Sequence, residues 1–157
     1  MKIIPLTQGM LTVVDDEDHA RLSKYEWYAA KMGNSYYACR KSHDHKVIYM
    51  SREILGITDS TVLTDHKNRN GLDNQKHNLR LATKGQNVHN SAAIGGASKY
   101  KGVNKSRNKW RAQIYVCGKN THIGCFKTED EAAIAYNIVA SKAFGEFAYL
   151  NTIMQEI

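Results

Sequence analysis

Disulfide and zinc frameworks are absent from this chain of 157 residues, which holds three widely spaced cysteines, Cys39, Cys117 and Cys125, and no Cys-x-x-Cys pair. An odd, scattered set of this kind suits free thiols in a reducing compartment. Cys39 with His43 and His45 lacks the second cysteine pair that would support a structural zinc site. No hydrophobic run approaches a membrane span. No signal peptide is expected either, since Met1-Lys2-Ile3-Ile4-Pro5 leads directly into polar residues. These absences argue against a secreted disulfide scaffold and a membrane protein. They predict a soluble, cytoplasmic chain of one or two small domains.

Acid is also missing where base is dense. From Lys99 to Lys127 there are eight Lys/Arg residues, at 99, 101, 105, 107, 109, 111, 119 and 127, and no Asp or Glu. The whole chain carries a formal charge of +7 with a pI near 9.3. Such a balance favours a polyanionic partner. With no basic amphipathic helix, nucleic acid ranks before a membrane surface. No aromatic platform for stacking single strands is evident, so duplex DNA ranks before RNA.

The most informative stretch runs from Val62 to Asn90, VLTDHKNRNGLDNQKHNLRLATKGQNVHN. Ser60 to Asp65 is a β-branched run that predicts a strand ending at His66. Lys67 to His77 is polar, with Asn70-Gly71 and Asp73-Asn74, and predicts a loop. Asn78 to Ala82 predicts a second strand. Thr83 and Gln86 have capping-box spacing for a helix that carries Asn87, Asn90 and Ser91 on one face. Asp65, His66 and the amides of Asn78 and Asn87 are residues that phosphodiester hydrolysis can use. A carboxylate and an amide oxygen form a hard donor set suited to Mg²⁺ or Mn²⁺ rather than Zn²⁺. A histidine titrating near neutrality can accept a proton from water.

Asp65-His66, Asn78-Leu79-Arg80 and Gln86-Asn87-x-x-Asn90 together resemble the ββα-metal motif of HNH (His-Asn-His) endonucleases, most closely the phage and intron-associated homing type. The resemblance implies that His66 is the general base, that Asn78 orients it, and that Asp65 and Asn87 are the metal ligands. With Asn at position 87, this is the His-Asn-Asn form. IPLTQG, VDDED, LSKYEW and YMSREILG in the N-terminal part resemble the matching region of phage HNH homing proteins, where the position of Ser51 is often histidine.

Around this motif the pattern predicts an α+β protein. Residues 1–57 read as a small β-rich module: a strand at Met10–Val14, a short helix after the acidic cluster Asp15–Asp18, and two strands joined by a Gly33-Asn34 hairpin. A further strand at Val47–Met50 and a short helix ended by Gly56 follow. With the motif at 58–93, this makes a first domain of residues 1–93. Ala92 to Ser98 contains small residues and glycines, and 94–98 reads as a linker. Residues 99–157 read as a three-stranded antiparallel sheet packed on one helix. Thr128 and Glu131 form a capping box, and Ala132, Tyr136, Val139, Ala140, Ala143 and Phe144 form the core stripe. In the middle strand Trp110, Ala112, Ile114 and Val116 alternate with outward Arg111, Gln113 and Tyr115.

Tyr100-Lys101-Gly102-Val103, Lys109-Trp110, Ile123-Gly124-Cys125-Phe126, Glu131-Ala132-Ala133, Ala135-Tyr136 and Leu150-Asn151 resemble the APETALA/ERF-type DNA-binding domain. That resemblance implies groove or phosphate contacts by Lys101, Lys105, Arg107, Arg111, Gln113, Tyr115 and His122. Several positions that are arginine or tryptophan in plant versions are lysine, tyrosine or histidine here. The expectation is a monomeric, phage-type, site-specific endonuclease that nicks double-stranded DNA in the bacterial cytoplasm. Its rival is a DNA-binding regulator with an inert HNH motif.

Overall fold

The computed structural model describes residues 1–93 and 95–153. The chain is α+β and divides into two compact units, Met1–Lys84 and a second from Gly85 onward.

In the first unit, β1 (Lys2–Pro5) pairs antiparallel with β2 (Leu11–Val14). The turn between them passes through Gln8 and Gly9, both at positive φ. Strand β1 has no sequence signature: of its four residues only Ile4 is buried, so no alternation shows. Helix α1 (Asp16–Leu22) starts with three acids against its positive end. Strands β3 (Tyr28–Met32), β4 (Ser35–Lys41) and β5 (Val47–Tyr49) form a meander turned at Gly33, which adopts positive φ. Helix α2 (Met50–Ile54) follows.

Strands β6 (Leu63–His66) and β7 (Leu79–Ala82) form a two-stranded ribbon, in register from Leu63↔Ala82 to His66↔Leu79. The ribbon has little interior of its own, and Leu81 is 57% exposed. It is anchored through Leu79, which joins the core of Ile4, Val14, Leu22, Trp27 and Met50, with Leu72 packed against it. Full burial of one such leucine is worth roughly 1.5–3 kcal/mol, so the N-terminal module supplies the hydrophobic support that the ribbon lacks. Trp27 donates its indole N–H to the Leu22 carbonyl at 2.9 Å, which satisfies the polar handle of a buried aromatic.

The second unit contains α3 (Lys84–Asn90) from Gly85 on, strands β8 (Val103–Ser106), β9 (Lys109–Val116) and β10 (Lys119–Phe126), and helix α4 (Glu129–Phe144). The sheet is antiparallel with β9 central. The Thr128–Glu131 capping box forms as the sequence requires. Helix α4 buries Ala132, Ala133, Tyr136 and Ala140, with Val139 and Phe144 partly covered. Ala143, expected in the stripe, is exposed, and Ala133 takes its place in the core. Gly102 sits at φ +75, where an added Cβ would meet the Tyr136 ring and lie 2.6 Å from the Gln113 carbonyl oxygen. Only glycine fits there.

The division between the two compact units falls inside α3, after Lys84. Contacts made by the carbonyl end of α3 explain this. The Lys101 ammonium donates to the carbonyls of Val88, His89 and Ser91 at 3.0, 2.7 and 2.6 Å. Tyr149 N–H also donates to the His89 carbonyl, and the His89 ring stacks on Phe144 at 3.7 Å. A cation on the last carbonyls is a favourable cap for the negative end of a helix.

Candidate active site and nucleic-acid interface

Asp65 and His66 are consecutive on β6, so their side chains leave opposite faces of the ribbon. Arg80 lies directly across from Asp65 and binds it: Nε and Nη2 both approach Oδ2, at 2.8 and 2.6 Å. On the other face His66 is 6% exposed and lies against the Tyr37 ring, 5.9 Å between centroids. Burial holds its imidazole pKa below the ordinary value. This outweighs the opposing influence of a hydrogen bond to Asn74 Oδ1 and the charges of Asp65 and Asp73. A histidine in that state is neutral at pH 7, the form a proton acceptor requires.

The loop between the two strands is ordered by its own amides. Asn68 Oδ1 accepts from Asn70 N–H at 2.9 Å, and Asn70 Oδ1 accepts from Leu72 N–H at 3.1 Å. The Asn78 amide is engaged by the loop: Oδ1 accepts from Asn68 N–H at 3.0 Å, and Nδ2 donates to Asn68 Oδ1 at 3.0 Å and the Asp73 carbonyl at 2.8 Å. Asn78 therefore ties the two ends of the loop together. The side chain facing His66 Nε2 is Asn74, with Oδ1 at 3.1 Å.

This loop also docks on the N-terminal hairpin. Val13 N–H donates to the Leu72 carbonyl and Asn74 N–H to the Val13 carbonyl, at 2.9 and 2.8 Å. Asp15 Oδ2 accepts from Lys76 N–H at 2.7 Å. Nothing in the sequence pairs residues 12–15 with 72–76, because the contacts use backbone groups and a side chain some sixty positions away. Ser51 is buried, and its hydroxyl lies 3.0 Å from that of Thr64 on β6.

Asn87 lies on α3, in the second unit. The donor chemistry of Asp65 and Asn87 fits a hard divalent cation: one carboxylate, one amide oxygen and no sulfur. Both of these Arg80 contacts fall on Oδ2 of Asp65. Among the described residues no group of three His, Cys, Asp or Glu side chains is placed to hold a metal ion. A cation held by Asp65 would therefore depend on amide, water and phosphate oxygens for its remaining ligands.

The candidate DNA-contacting residues of the second unit do not share one face. Arg111, Gln113 and Tyr115 project from one side of β9, alternating with Ala112 and Ile114, which are buried. His122 pairs with Gln113, so it shares that side. Asn104, opposite Arg111, and Asn120, opposite Tyr115, also belong to it. Neither was expected, although period-2 counting from Arg111 across the turns would have found both. Arg107 is at the tip of the β8–β9 hairpin at φ +52. Lys105 and Lys101 lie elsewhere. Lys105 pairs with Trp110 and holds its ammonium 5.9 Å from that ring, on the helix side of the sheet. Lys101 is the cap on α3 described above, because Gly102 turns the chain immediately before β8.

Among the described residues no helix is long and apolar enough to cross a membrane. No protein-family model matches the chain. Over 148 residues it is 40% identical to a protein named uncharacterized HNH endonuclease L560 of Acanthamoeba polyphaga mimivirus, covering 93% of this chain and 77% of that one. A shorter likeness, 43% over 53 residues, joins 33% of this chain to 16% of an AP2/ERF and B3 domain-containing transcription factor of Arabidopsis thaliana. The first likeness spans both the ribbon with Asp65 and His66 and most of the sheet unit, and on that extent the chain belongs to the HNH endonuclease family.

Proposed function

We propose that the chain is a site-specific, metal-dependent DNA endonuclease of the homing type that nicks one strand of a duplex as a monomer. The observation that carries this reading is a buried histidine, held toward its neutral form, at the end of the strand that presents Asp65 on its other face. His66 takes the proton of an attacking water. The water oxygen bonds to phosphorus, the bond to the leaving sugar oxygen breaks, and that oxygen is protonated from solvent. Asp65 and Asn87 would hold Mg²⁺ or Mn²⁺, which supplies charge neutralisation at the phosphate and leaving oxygen. Asn78 acts on His66 through the loop that it ties together. The outer face of the C-terminal sheet, with Arg111, Gln113, Tyr115 and His122, places the enzyme on double-stranded DNA in the manner of an APETALA/ERF-type domain.

A second reading has one specific observation in its favour. Arg80 already neutralises Asp65, as it would in a DNA-binding regulator whose HNH motif is inert. Plasmid nicking separates the two. The nuclease reading expects nicking that needs Mg²⁺ or Mn²⁺, stops in EDTA, and falls by about 10² or more in His66→Ala while DNA affinity is kept. A chain that binds duplex DNA but leaves supercoiled plasmid intact at every divalent ion tried belongs to the regulator class.

A further inference from the structure

We propose that Thr12, on the N-terminal hairpin, is a positioning residue for the reaction: acting through Asn74, it sets the tautomer of His66. This rests on the reading of His66 as the base. The three side chains are buried, with relative exposures of 0% for Thr12, 2% for Asn74 and 6% for His66, so water does not compete for their hydrogen bonds.

The direction of every bond in the chain follows from its far end. Leu72 ends it with a carbonyl, which can only accept. Thr12 Oγ1 lies 2.8 Å from that oxygen and donates its proton there. Its other neighbour, Met50 Sδ at 4.0 Å, is a weaker acceptor and further away. Having given its proton to Leu72, Thr12 offers only lone pairs to Asn74. The atom of Asn74 that approaches Thr12 at 2.9 Å must then be Nδ2, a donor. The Gly71 carbonyl, 3.4 Å from the same nitrogen, requires the same orientation. Turning the amide over would replace both bonds by oxygen–oxygen contacts.

With Nδ2 committed in this way, Oδ1 is the atom that meets His66 Nε2 at 3.1 Å. An amide oxygen only accepts, so the neutral imidazole carries its hydrogen on Nε2. The lone pair is then on Nδ1, and Nδ1 is the atom that takes the proton from water. A hydroxyl in the first strand pair thus decides which ring nitrogen is basic, 54 positions along the chain, the difference between residues 12 and 66. The β2-to-loop bonds at Val13 and Asn74 hold Thr12 in reach of Leu72 and Asn74.

The test is long-range ¹H–¹⁵N correlation of the His66 ring in the full-length protein without metal or DNA, well above the ordinary imidazole range, so the answer does not depend on cleavage. Wild type and Thr12→Ser, which keeps the hydroxyl, are expected in the Nε2–H form. Thr12→Val, or Thr12→Ala should the valine variant not fold, is expected to shift His66 toward a mixture of tautomers. In parallel plasmid assays kcat should fall roughly tenfold in the hydroxyl-free variant with KM unchanged, a part of the about 10²–10⁴ that a general base is worth, and Thr12→Ser should restore it. An Nδ1–H wild type overturns the proposal, as does a folded hydroxyl-free variant with the wild-type tautomer. A folded Thr12→Ser that behaves like Thr12→Val also overturns it. Absence of nicking by wild type, with the tautomers as expected, would refute the nuclease reading and leave the relay standing.

Discussion

Replacing Lys101 by Met should weaken the second unit without changing how DNA binding responds to salt. Sequence resemblance implies a phosphate contact for Lys101, whereas its ammonium is bonded to the carbonyls of Val88, His89 and Ser91. Met keeps the aliphatic length and removes all three bonds. The His89 carbonyl retains Tyr149 N–H and the Val88 carbonyl retains the Ser91 N–H and hydroxyl, but all three lose a charged donor. Hydrogen bonds to charged groups contribute about 1.5–3 kcal/mol in net terms, and a cation at a helix C-terminus adds about 0.3–1 kcal/mol. Water reaches part of this cap, so the lower range applies, and a loss of about 2 kcal/mol is expected. For a domain of this size that corresponds to roughly 10 °C in Tm. Thermal melts, with hydrogen exchange on the amides of α3, measure the loss. Fluorescence anisotropy on duplex DNA over a salt series measures the slope of log Kd against log salt. A phosphate contact would lower that slope by about 0.9; the capping role leaves it unchanged. A Lys101→Met protein of wild-type stability whose salt slope drops by one contact would refute the reasoning.

Three further outcomes follow from the geometry. Arg111→Ala and Gln113→Ala share the outward face and should relax sequence preference by about 1–3 kcal/mol per good base contact, whereas Lys105→Ala, on the Trp110 side, should leave preference intact; competition binding with mismatched sites would show any reversal of that order. Because burial lowers the His66 pKa, the acidic limb of the nicking rate should lie below about 6.5. By the same linkage the unfolded chain binds the extra proton first, so this group's contribution to stability is present above the unfolded value and lost as pH falls toward the folded one; a pH–rate limb on the alkaline side of 6.5 would contradict the assignment. Gly71→Ala would drive a Cβ into the Tyr36 carbonyl oxygen and place it 2.6 Å from Cδ1 of Tyr37, whose ring packs on His66, so the β4 backbone at Tyr36 and the Tyr37 ring must both shift and nicking should fall more than DNA affinity does; equal losses in both would count against this.

Local rules account for much of what the sequence determined by itself. The capping box at Thr128–Glu131, the Gly33-Asn34 turn and the period-2 alternation of β9 depend on neighbours a few residues apart. The pairing of Asp65 with His66, and the spacing to Asn78 and Asn87, could be recognised because chemistry is concentrated in polar residues that a core does not require. Strand β1 was not legible, since a single buried residue leaves no pattern. Composition likewise could not distinguish Lys101 and Lys105 from the outward basic residues. A lysine's task is set by which side of the sheet it leaves and by what lies there, and only the register and the turn at Gly102 decide that. The Thr12–Asn74–His66 chain is the fullest case. Its members are ordinary turn and strand residues in sequence. Their bond directions, and with them the proton position on the base, exist only once β2 is hydrogen-bonded to the loop and water is kept from the hydrogen bonds between them.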